Sequence, residues 1–226
     1  MSIYITGDTH IPIDISKLST KKWTEQKELT RDDFLIICGD FGAVWNNSSE
    51  DKYWQKWLNE KPFTTLFVDG NHENFNLLNE YEIEEFHGGK IHRIMPNVCH
   101  LMRGQVFDLN GIKVFTMGGA ESHDKDSRKE NVTWWKDELP NDNEYAEAIR
   151  NLDKCGWKVN LVISHCTSSY IQDQIAPYYE QNRLTYFFET LRNDLTYDKW
   201  YFGHYHTSKR ITEKDIAIYY KIEKYL

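Results

Sequence analysis

Six short runs of β-branched and aromatic residues punctuate the chain, and five of them end at once in a small polar cluster containing Asp, Asn or His. The runs are 2–6, 34–38, 64–68, 113–117, 160–164 and 199–203, with the composition of strands. The clusters are GDTH (7–10), GDFG (39–42), GNHE (70–73), SHC (164–166) and GHYH (203–206). In open α/β sheets, ligands bind beyond the carboxyl ends of the strands. Five such ends meeting at one place would gather Asp8, His10, Asp40, Asn71, His72, His165, His204 and His206 into one pocket. Carboxylates and imidazoles buried that closely are costly unless paired or metal-bound, and two divalent cations would remove the cost. His204 and His206, two residues apart, are expected on one side of an extended backbone.

Helical patterns lie between several runs. Residues 50–60 set Tyr53, Trp54, Trp57 and Leu58 on one face behind Ser48 or Ser49 as N-cap. Residues 142–155 align Tyr145, Ile149 and Leu152 and stop at Gly156. Residues 178–193 align Leu184, Phe187, Phe188 and Leu191. Asn110-Gly111 is a two-residue hairpin signal, and 207–223 reads as a second hairpin with Ile216, Ile218 and Tyr220 alternating. Strand–helix alternation with added hairpins indicates an α/β layered fold with a mixed sheet.

The 226 residues fit one domain spanning 1–226. The formal net charge is −8, with no dense Lys/Arg block. That balance disfavours a general nucleic-acid or anionic-membrane binder, although folding could still gather a local basic patch. Met1 leads straight into IYIT without a secretory pattern, and no apolar run approaches the ~20 residues of a membrane-spanning helix. Cys38, Cys99, Cys155 and Cys166 are dispersed and read as reduced thiols. The expected address is cytoplasmic; the oligomeric state leaves no mark.

Taken singly, each cluster is a turn, a cap or a core histidine. As an ordered set they resemble the calcineurin-like metallophosphoesterases, whose blocks are D-x-H, G-D, G-N-H-[DE], a lone H and G-H-x-H. All five are present in order, bracketing about residues 7–206. The resemblance implies a four-layer αββα sandwich of two mixed β-sheets flanked by helices, and a dinuclear metal site. It implies that Asp8, His10 and His206 bind one metal and that Asn71, His165 and His204 bind the other. Asp40 would bridge ions ~3.5–4 Å apart. His72 would donate a proton to the leaving alkoxide, a task suited to imidazole.

One block departs from the family. Many relatives read GDxxDR, where the later Asp orients the acid histidine and the Arg grips phosphate; here Ala43 and Val44 occupy those positions. Another group must orient His72, with Asp69 or a backbone carbonyl as candidates, and another cation must meet phosphate. The polar stretch GGAESHDKDSR (118–128) offers Arg128 and His123 for substrate binding, and Trp134-Trp135, Trp45, Asn46 and Asn47 are candidates for a pocket wall. The implied activity is hydrolysis of a small phosphorylated substrate, a monoester or diester, by a metal-activated hydroxide. The mixed N/O ligand set suits Mn²⁺, with Zn²⁺ or Fe as alternatives. Two other readings stand beside it: a metal-dependent nuclease, and a catalytically silent interaction scaffold on the same fold.

Overall fold

The computed structural model describes residues 1–226, in which thirteen strands and five α-helices succeed one another. The first half of the chain forms β1 (Ile3–Thr6), β2 (Phe34–Ile37), α1 (Ser49–Asn59), β3 (Thr64–Phe67), α2 (Phe75–Leu78), β4 (Ile83–Phe86), β5 (Gly89–Met95), β6 (Val98–Leu101), β7 (Gln105–Leu109) and β8 (Ile112–Met117). The second half forms α3 (Asp142–Lys154), β9 (Leu161–Ser164), α4 (Ser169–Ile175), α5 (Arg183–Asp194), β10 (Lys199–Phe202), β11 (Lys209–Arg210), β12 (Asp215–Ala217) and β13 (Ile222–Lys224). One sheet has the order β13-β1-β2-β3-β6-β5-β4 and the other β11-β12-β10-β9-β8-β7. β1, β2, β3 and β6 run parallel, as do β8, β9, β10 and β12.

Alternation along the strands sorts their side chains into layers. Ile3, Ile5, Ile36 and Leu66 of one sheet meet Val114, Leu161, Ile163 and Tyr201 of the other in a shared core. The intervening residues face outward. Tyr4, Leu35, Ile37 and Phe67 pack with Leu58 of α1, while Phe115, Val162, Trp200 and Phe202 pack with Leu152 of α3 and Phe188 of α5. The expected αββα sandwich is therefore present, and its central strands are covered on both faces, hence their near-continuous apolar runs.

Helix boundaries follow the caps. Ser48 accepts the Asp51 N–H at the start of α1, and Asn141 and Asn182 form capping boxes for α3 and α5. The helix expected over 178–193 begins only at Arg183, because Asn182 caps it there, and Tyr178 and Tyr179 lie in the preceding loop. Asn110 and Gly111 both have positive φ in the β7–β8 hairpin, the signature of a type I′ turn. The expected 207–223 hairpin is only partly realised. β11 and β12 pair antiparallel, after which the chain crosses to the other sheet and β13 pairs with β1.

Candidate metal centre

All five polar clusters emerge where parallel strands end. Asp8 and His10 follow β1, Asp40 follows β2, and Asn71 to Glu73 follow β3; His165 follows β9, and His204 and His206 follow β10. The first three strands are neighbours in one sheet, and the last two are neighbours in the other. The two sheets thus present their carboxyl ends to a common cleft.

Asp40 lies at its centre. Its Oδ2 is 3.1 Å from His10 Nε2, and its Oδ1 is 3.3 Å from His165 Nε2 and accepts the His72 N–H at 2.8 Å. On one side, ligand atoms of Asp8, His10, Asp40 and His206 all lie within 4.8 Å of one another, a group able to hold a metal ion. On the other, His165 Nε2 is 3.2 Å from Asn71 Oδ1, and the His165 and His204 rings are 5.0 Å apart. One carboxylate therefore faces two sets of donors, one with each oxygen.

The backbone is bent to achieve this. His10, Asp40, His204 and His206 all have positive φ, at 34°, 47°, 64° and 46°. Left-handed conformation in residues other than glycine stores strain of order 1–3 kcal/mol each and gathers at functional sites. The expectation that His204 and His206 share a face of an extended strand is corrected here. β10 ends at Phe202 and both residues turn left-handed, His204 setting its ring by His165 and His206 its ring by His10. Glycines admit the close approaches: a Cβ at Gly70 would strike the Asp40 carboxylate, and one at Gly203 the Asp8 carboxylate.

The charges are arranged to match. Burial opposes charge on His165, yet the carboxylates of Asp40 and Asp8 outweigh it and raise its pKa to about 10. His10 is raised to about 9, again against burial, chiefly by its hydrogen bond to Asp40. Burial drives Asp8 up and His204 well down. Asp40 is held well below the carboxylate range by His165 and His10, against its own desolvation. Protons on two imidazoles thus offset the buried carboxylates, the place cations would take, and ligation by such groups exchanges protons for metal. The fully buried carboxylates, the imidazoles and the Asn71 amide oxygen form a donor set that fits divalent cations.

A supporting layer lies outside what the sequence revealed. Asp14 Oδ2 is 2.8 Å from His10 Nδ1 and accepts the Tyr219 hydroxyl at 2.9 Å. The Tyr219 ring stacks on His206, with centroids 4.9 Å apart at 21°. Lys17 Nζ donates to the carbonyls of Gly7 at 2.9 Å, Asp8 at 2.6 Å and Tyr219 at 2.8 Å. Asp14 and Tyr219 are 205 residues apart, so no local pattern could have announced the pairing.

His72 lies beside this cluster, its ring 5.7 Å from that of His10, and burial lowers its pKa. Asp69 does not orient it. That carboxylate takes the Arg103 guanidinium at 2.9 and 2.6 Å and meets His100 Nε2 at 3.1 Å. The neighbour of His72 Nδ1 is instead Arg128 Nη1 at 3.5 Å, and Arg128 Nε is held by Asp124 at 2.7 Å. An Asp-Arg pair therefore reaches His72 from the 118–128 loop, while Ala43 and Val44 are buried in the core. His123 packs 3.5 Å from the Tyr179 ring and 5.4 Å from that of His204. Trp135 is a buried support on which Trp45 packs edge-on at 5.5 Å.

Two clefts flank the cluster. One of about 370 Å³ is walled by His10, His72, Trp45 and Ile13; the other, about 270 Å³, by His204, His123, Lys125 and Glu180. A two-sheet sandwich with buried carboxylates and imidazoles at its strand ends, opening between two clefts, has the form of a metal-dependent phosphoric ester hydrolase. The family model described as calcineurin-like phosphoesterase matches residues 1–208, and the chain belongs to that family. Among curated proteins it is similar to Lariat debranching enzyme A of Xenopus laevis, at 30% identity over 139 residues, covering 55% of this chain and 24% of that protein. It is also similar to the lariat debranching enzyme of Arabidopsis thaliana, at 32% over 103 residues (39% and 23%), and to that of Homo sapiens, at 28% over 139 residues (55% and 24%). The matched region is about a quarter of the length of these relatives. Setting nucleic acid aside on the acidic net charge finds no support among relatives so named. No helix is long and apolar enough to cross a membrane.

Proposed function

We propose that this chain hydrolyses a phosphodiester at a dinuclear metal centre, within one domain spanning residues 1–226. Asp8, His10 and His206 hold one ion, Asn71, His165 and His204 hold the other, and Asp40 bridges them. The observation that carries this reading is the division of the Asp40 carboxylate, Oδ2 toward His10 and Oδ1 toward His165. Bound there, divalent cations supply charge neutralisation at the phosphate and an activated water. His72, held by its backbone N–H on Asp40, presents its ring beside the cluster and protonates the leaving oxygen. Arg128, positioned by Asp124, lies against His72 and contacts a phosphate oxygen; His123, next to His204, borders the other cleft.

A diester is preferred to a monoester for two reasons. The clefts on either side of the cluster give both esterified groups a place, and opening the branch of a lariat, for which the relatives are named, is diester chemistry. Mn²⁺ is the proposed metal, in keeping with oxygen donors beside imidazole. Four free cysteines suit a reducing, cytoplasmic setting.

The test uses protein loaded with Mn²⁺. Hydrolysis of bis(p-nitrophenyl) phosphate exceeding that of p-nitrophenyl phosphate is expected, with two ions per chain by elemental analysis. Asp40→Asn loses both ions; a variant that retained two would overturn the bridging assignment. Activity on the monoester alone would overturn the diester reading, and a gel comparison of branched with linear RNA asks whether nucleic acid is a substrate.

A further inference from the structure

The cleft that His72 borders has a built wall whose chemistry the reaction leaves unexplained. Trp45 stands in it on a loop held at both ends. Asp51 Oδ2 accepts the backbone N–H groups of Trp45, Asn46 and Asn47 at 2.9, 2.8 and 2.8 Å. Asn74 Nδ2 donates to the Trp45 carbonyl at 2.6 Å, and Gln55 Nε2 donates to the Ala43 carbonyl at 2.7 Å. The indole rests on the buried ring of Trp135. Its position is thus fixed before any ligand arrives, although it is only partly covered.

Beside the imidazoles of His10 and His72, the other charges of the same cleft are acidic. Its lining holds Glu50 and Asp51 and neither lysine nor arginine. Asp51 is occupied by the three N–H groups, while Glu50 is exposed and forms no ion pair within 4 Å. A leaving group carrying its own phosphate would meet the Glu50 carboxylate there, and the lining offers it no lysine or arginine. Because the proton donor lies on this side, the departing alcohol lies on this side as well.

Resting on the phosphodiesterase reading, we propose that the cleft receives a leaving alcohol that is uncharged and carries a flat unsaturated ring, the chemistry of a nucleoside, stacked on Trp45. Aromatic side chains bind such rings through their π-faces with little regard for which base is present. Glu50 turns away phosphorylated leaving groups.

The experiment compares two esters of one nucleoside phosphate in Mn²⁺-loaded protein, a dinucleoside monophosphate and the methyl ester, and reads their ratio in each variant against wild type so that the differing acidity of the leaving alcohols cancels. Wild type is expected to favour the dinucleoside in kcat/KM by about tenfold or more, the range of one stacked base. Trp45→Ala brings that ratio close to one, and Trp45→Phe preserves most of it. Should Trp45→Ala melt below the assay temperature, Trp45→Leu, which keeps apolar bulk against Trp135 without a flat ring, replaces it in the comparison. Hydrolysis with the same ratio in wild type and the ring-less variant overturns the inference alone. Absence of hydrolysis of both esters overturns the phosphodiesterase reading and this inference with it.

Discussion

His72 and Arg128 are 56 residues apart in sequence and 3.5 Å apart in space, so the proposed proton donor and the proposed phosphate clamp share one contact. His72→Asn is expected to keep both ions while slowing turnover of a diester with a poor leaving group by ~10²–10⁴-fold. An unchanged rate would remove the histidine from its role. Arg128→Ala should raise KM and, by removing a positive charge that lowers the pKa of His72, move the alkaline limb of the pH–rate profile to higher pH. Arg128→Lys restores charge without the planar fork and is expected to recover KM only in part. The residues that cluster at the strand ends were legible because each is chemically conspicuous and follows a strand closely. Asp14, Lys17 and Tyr219 were not, because an aspartate, a lysine and a tyrosine at unrelated positions carry no signal until the fold brings them together.

At the level of elements, the strands that build the site were readable, as was the β7–β8 hairpin, whereas β4, β5 and β6 were missed. β1, β2, β3, β9 and β10 are largely apolar because both faces are covered. β4 reads IEEF with alternate residues exposed, and β5 reads GKIHRIM, with two basic residues and a histidine. The polarity of β5 conceals a buried position: His92 is 4% exposed, and its Nδ1 is 3.0 Å from His100 Nδ1. Burial, helped by His100, lowers its pKa to about 4. The unfolded chain binds a proton near the ordinary value of 6.5 and the folded chain does not, so stability is present above pH 6.5 and is lost as pH falls toward 4. This amounts to about 2 kcal/mol at pH 5. Urea melts of metal-free wild type and His92→Asn at pH 7 and pH 5 isolate it, the variant being expected to lose about 2 kcal/mol less between the two pH values than wild type. An equal pH response in the variant would assign the acid sensitivity elsewhere.

Across the whole molecule, the first and last parts of the sequence are joined at the candidate metal centre. β13 closes the edge of the sheet against β1, and Tyr219 stacks on His206 while its hydroxyl holds Asp14 behind His10. The family match ends at residue 208, so this support comes from outside the matched region. Tyr219→Ala is expected to weaken the ion held by Asp8, His10 and His206 by ~10–100-fold, the scale of outer-shell losses in metal sites, with a smaller effect for Tyr219→Phe. Calorimetric titration of Mn²⁺ into each variant measures both, and unaltered affinity in the alanine variant would show that the ring plays no part.

Lys17 spans this junction, gripping the carbonyls behind β1 and that of Tyr219 at once. During synthesis, the ammonium near the amino terminus must wait for its last acceptor until the polypeptide around residue 219 has left the ribosome. A divalent cation offered to a nascent fragment would find half a nest, and the nest is complete only once the residues around 219 have emerged.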